Sequence, residues 1–286
     1  LAAAGARIVG LDLLLIEAAD GDTLLADGLA RAAAAGTPVV IPIATMRADS
    51  GTIPLYPVPD LGLKAWLGHP HFRLDGDGMV RGLWLEEGGF PALSLALAGE
   101  VASEAMPATA RQAREQATAA QRERTINSGQ WEPHGFTLLP RLARPAEHVS
   151  FGAVLRGEIP PERFAGRIVL IGVSAAGLGD RYATALLPGD HPLPGVDLHA
   201  AAVTALLDDA LIHPLRPWPQ LVLTVIPVLA LLVALYRLPP RAGLLATLGA
   251  LALVLLTAGL LLRGGFWWSP TGALVASLLA YPLWSW

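Results

Sequence analysis

The 286-residue chain contains no cysteine. Disulfide frameworks, zinc sites built from thiolates and thiol nucleophiles are therefore excluded. Because a chain without cysteine is compatible with any compartment, its absence does not indicate where the protein resides.

Charged residues are also scarce. Asp, Glu, Lys and Arg make up 15% of the chain, against roughly 25% in ordinary soluble domains. Hydrophobic residues make up 53%, and the mean hydropathy is +0.49, so part of the chain is expected to contact membrane lipid. The formal charge is −4, and a chain without basic excess lacks the electrostatic surface that nucleic acids require. We therefore expect no nucleic-acid partner.

The charge is unevenly distributed along the chain. Residues 1–217 hold 41 of the 44 charged residues and all seven histidines, whereas residues 218–286 hold only Arg237, Arg241 and Arg263. About 20 apolar residues suffice to cross a bilayer. Three apolar runs of that length follow one another in the second part, and we predict a membrane helix for each: residues 218–236, 242–262 and 266–286.

The loops between these runs predict their orientation. Arg237 and Arg241 lie between the first two runs, and Arg263 alone lies between the last two. Since cytoplasmic loops carry the excess of Lys and Arg, the first loop is expected to be cytoplasmic. Residues 1–217 are then extracytoplasmic and the third helix of this multi-pass protein ends in the cytoplasm. Export of the first domain requires a signal sequence or a further span, which we expect before Leu1.

Residues 1–217 have the pattern of an α/β domain with a mainly parallel sheet. The apolar run at 7–15 predicts a buried strand, residues 23–35 have helical spacing of apolar positions, and residues 39–43 predict a second strand. A similar strand at 167–172 precedes a predicted helix at 196–209. Alternating strands and helices of this kind predict a parallel sheet with flanking helices.

Gly172 and Gly177 have the Gly-x4-Gly spacing of a phosphate-binding loop. However, Leu178 and Gly179 occupy the places where that loop needs Lys and then Ser or Thr. A tight turn is therefore favoured over nucleotide binding. A ligand pocket is the alternative, because α/β sheets bind ligands beyond the carboxyl ends of their strands.

No metal or cofactor is expected from the motifs. His69 and His71 offer two imidazoles, but no third ligand lies at a defined spacing from them. Catalytic residues are not predicted either, because Ser174 lacks the Gly-x-Ser-x-Gly frame of a hydrolase nucleophile. His199 lies on the apolar face of its predicted helix, where a hydrogen-bonded core histidine is the simplest interpretation.

Several segments together resemble the type-two CHASE domain, an extracellular sensory module associated with cyclases and histidine kinases. The strongest are GRIVLIGVSAAGLGD at 166–180 and PGVDLHA at 194–200; AGARIVGLD at 4–12, LGH at 67–69, DGDGMVR at 75–81 and VLRGEIPP at 154–161 occur in the same order as in that family. Residues 107–127 depart from its pattern and resemble an insertion. The resemblance implies a receptor with three membrane helices after the sensor and a cytoplasmic effector beyond Trp286, either a nucleotide cyclase or a protein kinase.

We therefore interpret the chain as the sensory input region of a transmembrane receptor, without catalytic activity of its own, and a homodimer is the assembly we expect. Polar residues within otherwise apolar motifs are the candidates for binding the extracytoplasmic signal: Asp12, Glu17, Ser174, Asp180, Arg181 and His199. One alternative is a scaffold module that binds a protein partner. A membrane-tethered extracytoplasmic hydrolase is the less favoured alternative.

Overall fold

The computed structural model describes residues 1–48, 51–55, 66–88, 90–101, 133–140, 146–175, 177–184 and 192–285. The predicted insertion at 107–127 lies outside these residues. The chain divides into two compact units, Leu1–Leu211 and Ile212–Trp286.

The described helices are α1 (Asp22–Ala34), α2 (Leu93–Val101), α3 (Phe151–Leu155), α4 (Gly195–Leu207), α5 (Pro217–Arg237), α6 (Pro240–Arg263) and α7 (Thr271–Ser285). The described strands are β1 (Ile8–Asp12), β2 (Val39–Pro42), β3 (Ala44–Ala48), β4 (Gly51–Leu55), β5 (Trp66–Gly68), β6 (Phe72–Leu74), β7 (Met79–Glu87), β8 (Phe90–Pro91), β9 (Pro133–Leu138), β10 (Ile168–Gly172), β11 (Arg181–Thr184), β12 (Leu193–Pro194), β13 (His213–Pro214) and β14 (Phe266–Trp267). The 3₁₀ turns Ala2–Ala4 and Pro161–Arg163 complete the described elements.

The first unit is built on a parallel four-stranded sheet with the strand order β10-β1-β2-β5. Strand β1 pairs along its whole length with β10, so that Asp12 lies opposite Gly172 at their carboxyl ends. Helix α1 connects β1 to β2, as the alternating pattern predicts. The predicted α/β class with a parallel sheet and flanking helices is confirmed.

Side chains alternate between the two faces of this sheet. Val9, Leu11, Val39 and Ile41 pack in one apolar cluster with Leu29 and other residues of α1. Ile8 and Val40 point to the other face, where they pack with Leu93 and Leu97 of α2 and Val203 of α4. The near-continuous apolar sequence of β1 follows from this burial on both sides.

A second sheet covers the other side of α2 and α4. Its strand order is β12-β11-β7-β6, and β8 and β9 also pair with β7. Val80, Leu83 and Leu85 of β7 pack in one buried cluster with Leu95 of α2 and Leu198 of α4. The two helices, α2 and α4, are therefore enclosed between the two sheets. Strands β3 and β4 form a separate antiparallel hairpin.

The second unit contains two helices, α5 and α6, that are long and apolar enough to cross a membrane, with 21 and 24 residues. The third predicted span at 266–286 is different. Phe266 and Trp267 form the short strand β14, which pairs with β13, and α7 begins only at Thr271. Its 15 residues rise about 22 Å, less than the roughly 30 Å of a bilayer core. Among the residues that the structure describes, two helices are therefore long and apolar enough to cross a membrane, and α7 is a shorter apolar helix that does not clearly add a third.

Trp268 is enclosed within the second unit. Its side chain is 2% exposed and packs with Val254 and Ala273 in an apolar cluster of the second unit. The indole nitrogen donates a hydrogen bond to the Thr224 hydroxyl at 3.3 Å. Trp268 is therefore held between α5, α6 and the start of α7.

Candidate functional site

A cavity of about 390 Å³ lies at the carboxyl end of the parallel sheet in the first unit. Asp12 ends β1 there, and the first turn of α4 closes one side. A Cβ on Gly172 would lie 2.7 Å from Cβ of Val196, so only glycine permits this approach of helix to strand. A Cβ on Gly195 would lie 3.4 Å from Oδ2 of Asp12. The close approach of α4 to β1 and β10 thus sets the shape of the cavity.

Polar side chains from four segments converge on this cavity. Its lining includes Asp12, His71, Phe72, Asp180, Tyr182 and His199. The Phe72 ring contacts the rings of both Tyr182 and His199, with centroid separations of 5.7 and 4.6 Å. One aromatic wall therefore faces a set of carboxyl, phenol and imidazole groups, which is the composition expected of a small-molecule site.

Asp12 and His199 are near neighbours that do not form an ion pair. Oδ1 of Asp12 lies 3.7 Å from Nε2 of His199, beyond hydrogen-bond distance. Burial, and next the nearby Asp180, raise the pKa of Asp12 to about 6. Burial lowers the pKa of His199 to about 3, although a contact with the backbone of Pro70 opposes this shift. Because burial disfavours the charged form of each group, this approach is not a salt bridge.

Tyr182 completes the acidic side of the cavity. Burial raises its pKa, and the charges of Asp180 and Asp12 raise it further. The phenol is therefore protonated at physiological pH and can donate a hydrogen bond to the neighbouring carboxylate of Asp180. Perturbed titratable groups that share a cavity are a physical marker of a binding site.

Three of the six residues predicted from sequence, Asp12, Asp180 and His199, line this one cavity. Arg181 does not; its guanidinium donates to the carbonyl oxygens of Ser174 at 3.2 Å and Pro192 at 2.7 Å, and so joins two loops. Glu17 is exposed in the segment between β1 and α1.

Sequence reasoning missed His71, Phe72 and Tyr182. Tyr182 follows Arg181 directly, and β-strand alternation places neighbouring residues on opposite faces. If Asp180 faces the cavity, this alternation predicts that Tyr182 faces it too and that Arg181 does not.

Ser174 lines a different cavity, of about 280 Å³, together with His148 and Asp197. Nε2 of His148 lies 2.8 Å from Oδ1 of Asp197. A hydrolase needs a hydrogen bond between its nucleophile and its base. Ser174 and His148, both within the described part of the chain, form no hydrogen bond with each other, so this cavity does not favour the hydrolase alternative.

His69, His71 and Glu87 form a further cluster beside the first cavity. The ligand atoms of these three side chains all lie within 4.8 Å of one another. Nδ1 of His71 is 2.8 Å from Oε2 of Glu87, and Nδ1 of His69 is 3.7 Å from the same oxygen. Burial is the main cause that lowers the pKa of His69 well below its usual value. Glu87 is the third ligand that the spacing around the two histidines did not reveal, because it comes from the far end of β7.

Comparison with known protein families gives one match over most of the chain. The model of a family described as the CHASE2 domain matches residues 1–236. Neither the curated proteins nor the solved structures contain a significant match.

Proposed function

The chain belongs to the CHASE2 domain family, and we propose that it detects an extracytoplasmic signal for a receptor of the bacterial inner membrane. CHASE2 domains are extracellular sensory domains of signalling receptors. A sensory domain carries no catalytic function, and two membrane-capable helices at the C-terminal side suit a transmembrane receptor. The identity of the signal, the topology and the output are the parts that we propose.

The cavity at Asp12, Asp180 and His199 is the observation that carries this proposal. Its volume of about 390 Å³ lies within the range of roughly 300 to 1,000 Å³ typical of small-molecule sites. Two carboxyl groups offer hydrogen-bond acceptors beside an aromatic wall, and the phenol of Tyr182 lies with them. We therefore propose that the signal is a small polar molecule that presents hydrogen-bond donors or a positive charge.

Signal binding is proposed to act through α4, since its first residue, Gly195, lines the cavity. A ligand that binds one position of α4 better than another shifts the balance between two sensor states by its difference in affinity alone. Couplings of this kind are typically about 1 to 3 kcal/mol. That energy would bias the membrane helices and thereby an effector in the same polypeptide, which we propose to be a nucleotide cyclase or a histidine kinase.

The arginines support the topology that this mechanism needs. Arg237 ends α5 and Arg241 lies in the first turn of α6, so both flank the same short connection. Positive charge at that connection favours the cytoplasmic side, which puts residues 1–217 outside. We propose α7 as a third crossing, which returns the chain to the cytoplasm. A homodimer is the assembly we propose for the receptor.

Asp180→Asn in the full-length receptor tests the binding site. The substitution keeps the shape of the side chain and removes its charge, and a hydrogen bond to a charged group contributes about 1.5 to 3 kcal/mol. We expect the signal concentration for half-maximal effector output to rise at least about tenfold. Asp20→Asn, an exposed carboxylate in the turn before α1, is the matched control and should respond as the wild type.

Output is measured under the conditions in which the wild-type receptor responds, with the amount of receptor in the membrane quantified in parallel. An Asp180→Asn receptor that is present in normal amount and responds as the wild type would remove the support for this cavity as the signal site.

A further inference from the structure

We propose that His69, His71 and Glu87 bind a divalent transition-metal ion of the Zn²⁺ type. Two imidazoles and one carboxylate are a ligand set that suits Zn²⁺ and its neighbours in the first transition series. This inference concerns a metal site and does not rest on the proposed sensory function.

The separations between the ligand atoms fit a common centre. Zn²⁺ binds imidazole nitrogen and carboxylate oxygen at about 2.0 to 2.2 Å in tetrahedral geometry, which places neighbouring ligand atoms about 3.3 Å apart. The distances from Oε2 of Glu87 to the two imidazoles, 2.8 Å to His71 and 3.7 Å to His69, lie on either side of that value. The two imidazole ligand atoms lie within 4.8 Å of each other, so side-chain shifts of about 1.5 Å or less would bring all three atoms to tetrahedral spacing around one ion.

His69 provides an independent indication of a ligand. Its side chain is fully buried, and neither ring nitrogen makes a hydrogen bond of normal geometry with any residue that the structure describes. The backbone of Trp84 lies near the ring and opposes the lowering of its pKa. This contact does not have the geometry of a normal hydrogen bond. A buried polar group without a partner typically costs about 1 to 3 kcal/mol. A metal bond to Nδ1 would give one of the two ring nitrogens the partner that the described residues do not supply.

The backbone holds the ligands on rigid elements. The amide of His69 donates to the carbonyl of Pro91 at 2.8 Å, and its carbonyl accepts from the amide of Leu93 at 2.8 Å. Glu87 ends the long central strand β7, where it pairs with Phe90 and with Pro133. Ligands fixed by strands on two sides are positioned before an ion arrives, as metal sites require.

Three protein ligands leave one tetrahedral position for water or another small ligand. His71 is half-buried and also lines the cavity that contains Asp12 and His199. An ion held by His71 would therefore lie beside that cavity. With a proton in place of the metal, His71 can instead donate a hydrogen bond to Glu87, and the experiment separates these two states.

The full 286-residue chain is purified in detergent without a polyhistidine tag, stripped with a chelator and titrated with Co²⁺ and with Zn²⁺ alone. We expect one tightly bound ion per chain and the visible absorption bands of tetrahedral Co²⁺. Changes around metal ligands typically lower metal affinity about 10- to 100-fold, so loss of a ligand in His71→Gln or Glu87→Gln should weaken binding at least about tenfold. His148→Gln, an exposed histidine outside the cluster, should bind as the wild type.

Two results would overturn the site. One is the absence of saturable binding to the wild-type chain; the other is wild-type affinity in His71→Gln. Because the His71 side chain is 31% exposed, this variant is expected to fold even if a change at the more buried Glu87 does not, and circular dichroism monitors folding in each case. The titration uses no signalling readout, so its failure leaves the proposed sensory function in place and its success does not prove it.

Discussion

Oδ1 of Asp12 lies 3.7 Å from Nε2 of His199 at the carboxyl end of the parallel sheet, yet the two side chains do not form an ion pair. Burial raises the pKa of Asp12 and lowers that of His199, so each is held towards its uncharged form. The protein thereby keeps two polar groups beside a cavity without an ion-pair partner for either among the residues that the structure describes. Such groups gain from a ligand that supplies the missing partner.

Asp12→Asn should change how stability depends on pH. The folded protein holds a proton on Asp12 up to about pH 6, whereas the unfolded chain releases it near 3.8. The free energy of unfolding of the wild type therefore falls as pH rises through this window, by about 3 kcal/mol. Asparagine does not ionise, so the free energy of unfolding of the variant does not fall in this way as pH rises.

Unfolding of the full chain in detergent at pH 4 and pH 7 measures the effect. The stability of Asp12→Asn relative to the wild type should be clearly higher at pH 7 than at pH 4. His199, with a folded pKa of about 3, stays neutral in the folded state of both proteins over this range. An equal difference at both pH values would show that the carboxyl of Asp12 is not held in its protonated form.

Gly172→Ala should destabilise the first unit. The added Cβ would lie 2.7 Å from Cβ of Val196, closer than the two atoms can approach. Overpacking of this kind costs about 1 to 3 kcal/mol. Gly76→Ala is the control, since its added Cβ would meet nothing within 4 Å, and we expect a change within about 0.5 kcal/mol. Equal unfolding midpoints for the two variants would mean that α4 does not approach the strand end as described.

Local sequence patterns predicted the elements that carry the parallel sheet. The apolar residues of β1 and β10 and the spacing in α1 and α4 identify each element without knowledge of its partners. The positions of Asp12, Asp180 and His199 followed, because strand ends and helix starts of a parallel sheet meet at one edge. Three of the six candidate residues could be placed in one cavity on this basis.

The remainder depends on contacts between distant parts of the chain. Glu87 joins His69 and His71 only through the position of β7 relative to β5, which no spacing in the sequence reports. The third apolar run was predicted to be one helix from its hydropathy alone. Phe266 and Trp267, at its start, instead pair with His213 and Pro214, and hydropathy carries no information about such pairing. The length of an apolar run shows whether it is long enough to cross a membrane, but it does not determine the residue at which a helix begins.

Single cysteines at Ser269 and Ser285 test the third crossing. Because residues 1–286 contain no cysteine, each introduced thiol is the only target for a membrane-impermeant maleimide in this part of the receptor, and the unsubstituted receptor gives the background labelling. Ser269 lies before α7 and Ser285 is the last residue of that helix. We expect Ser269→Cys to react in intact cells with a permeabilised outer membrane, and Ser285→Cys to react only after lysis. Reaction of both from outside would mean that α7 does not cross.

The most direct test of an extracytoplasmic sensor is the same labelling at Ala18 and Leu238 of the receptor expressed from its own gene. Ala18 is exposed between β1 and α1, and Leu238 lies between α5 and α6 beside Arg237. If the sensor domain faces outward, Ala18→Cys reacts with the impermeant maleimide before lysis and Leu238→Cys reacts only after it. Protection of Ala18→Cys together with reaction of Leu238→Cys in unlysed cells would place the CHASE2 domain inside the cell and contradict the account.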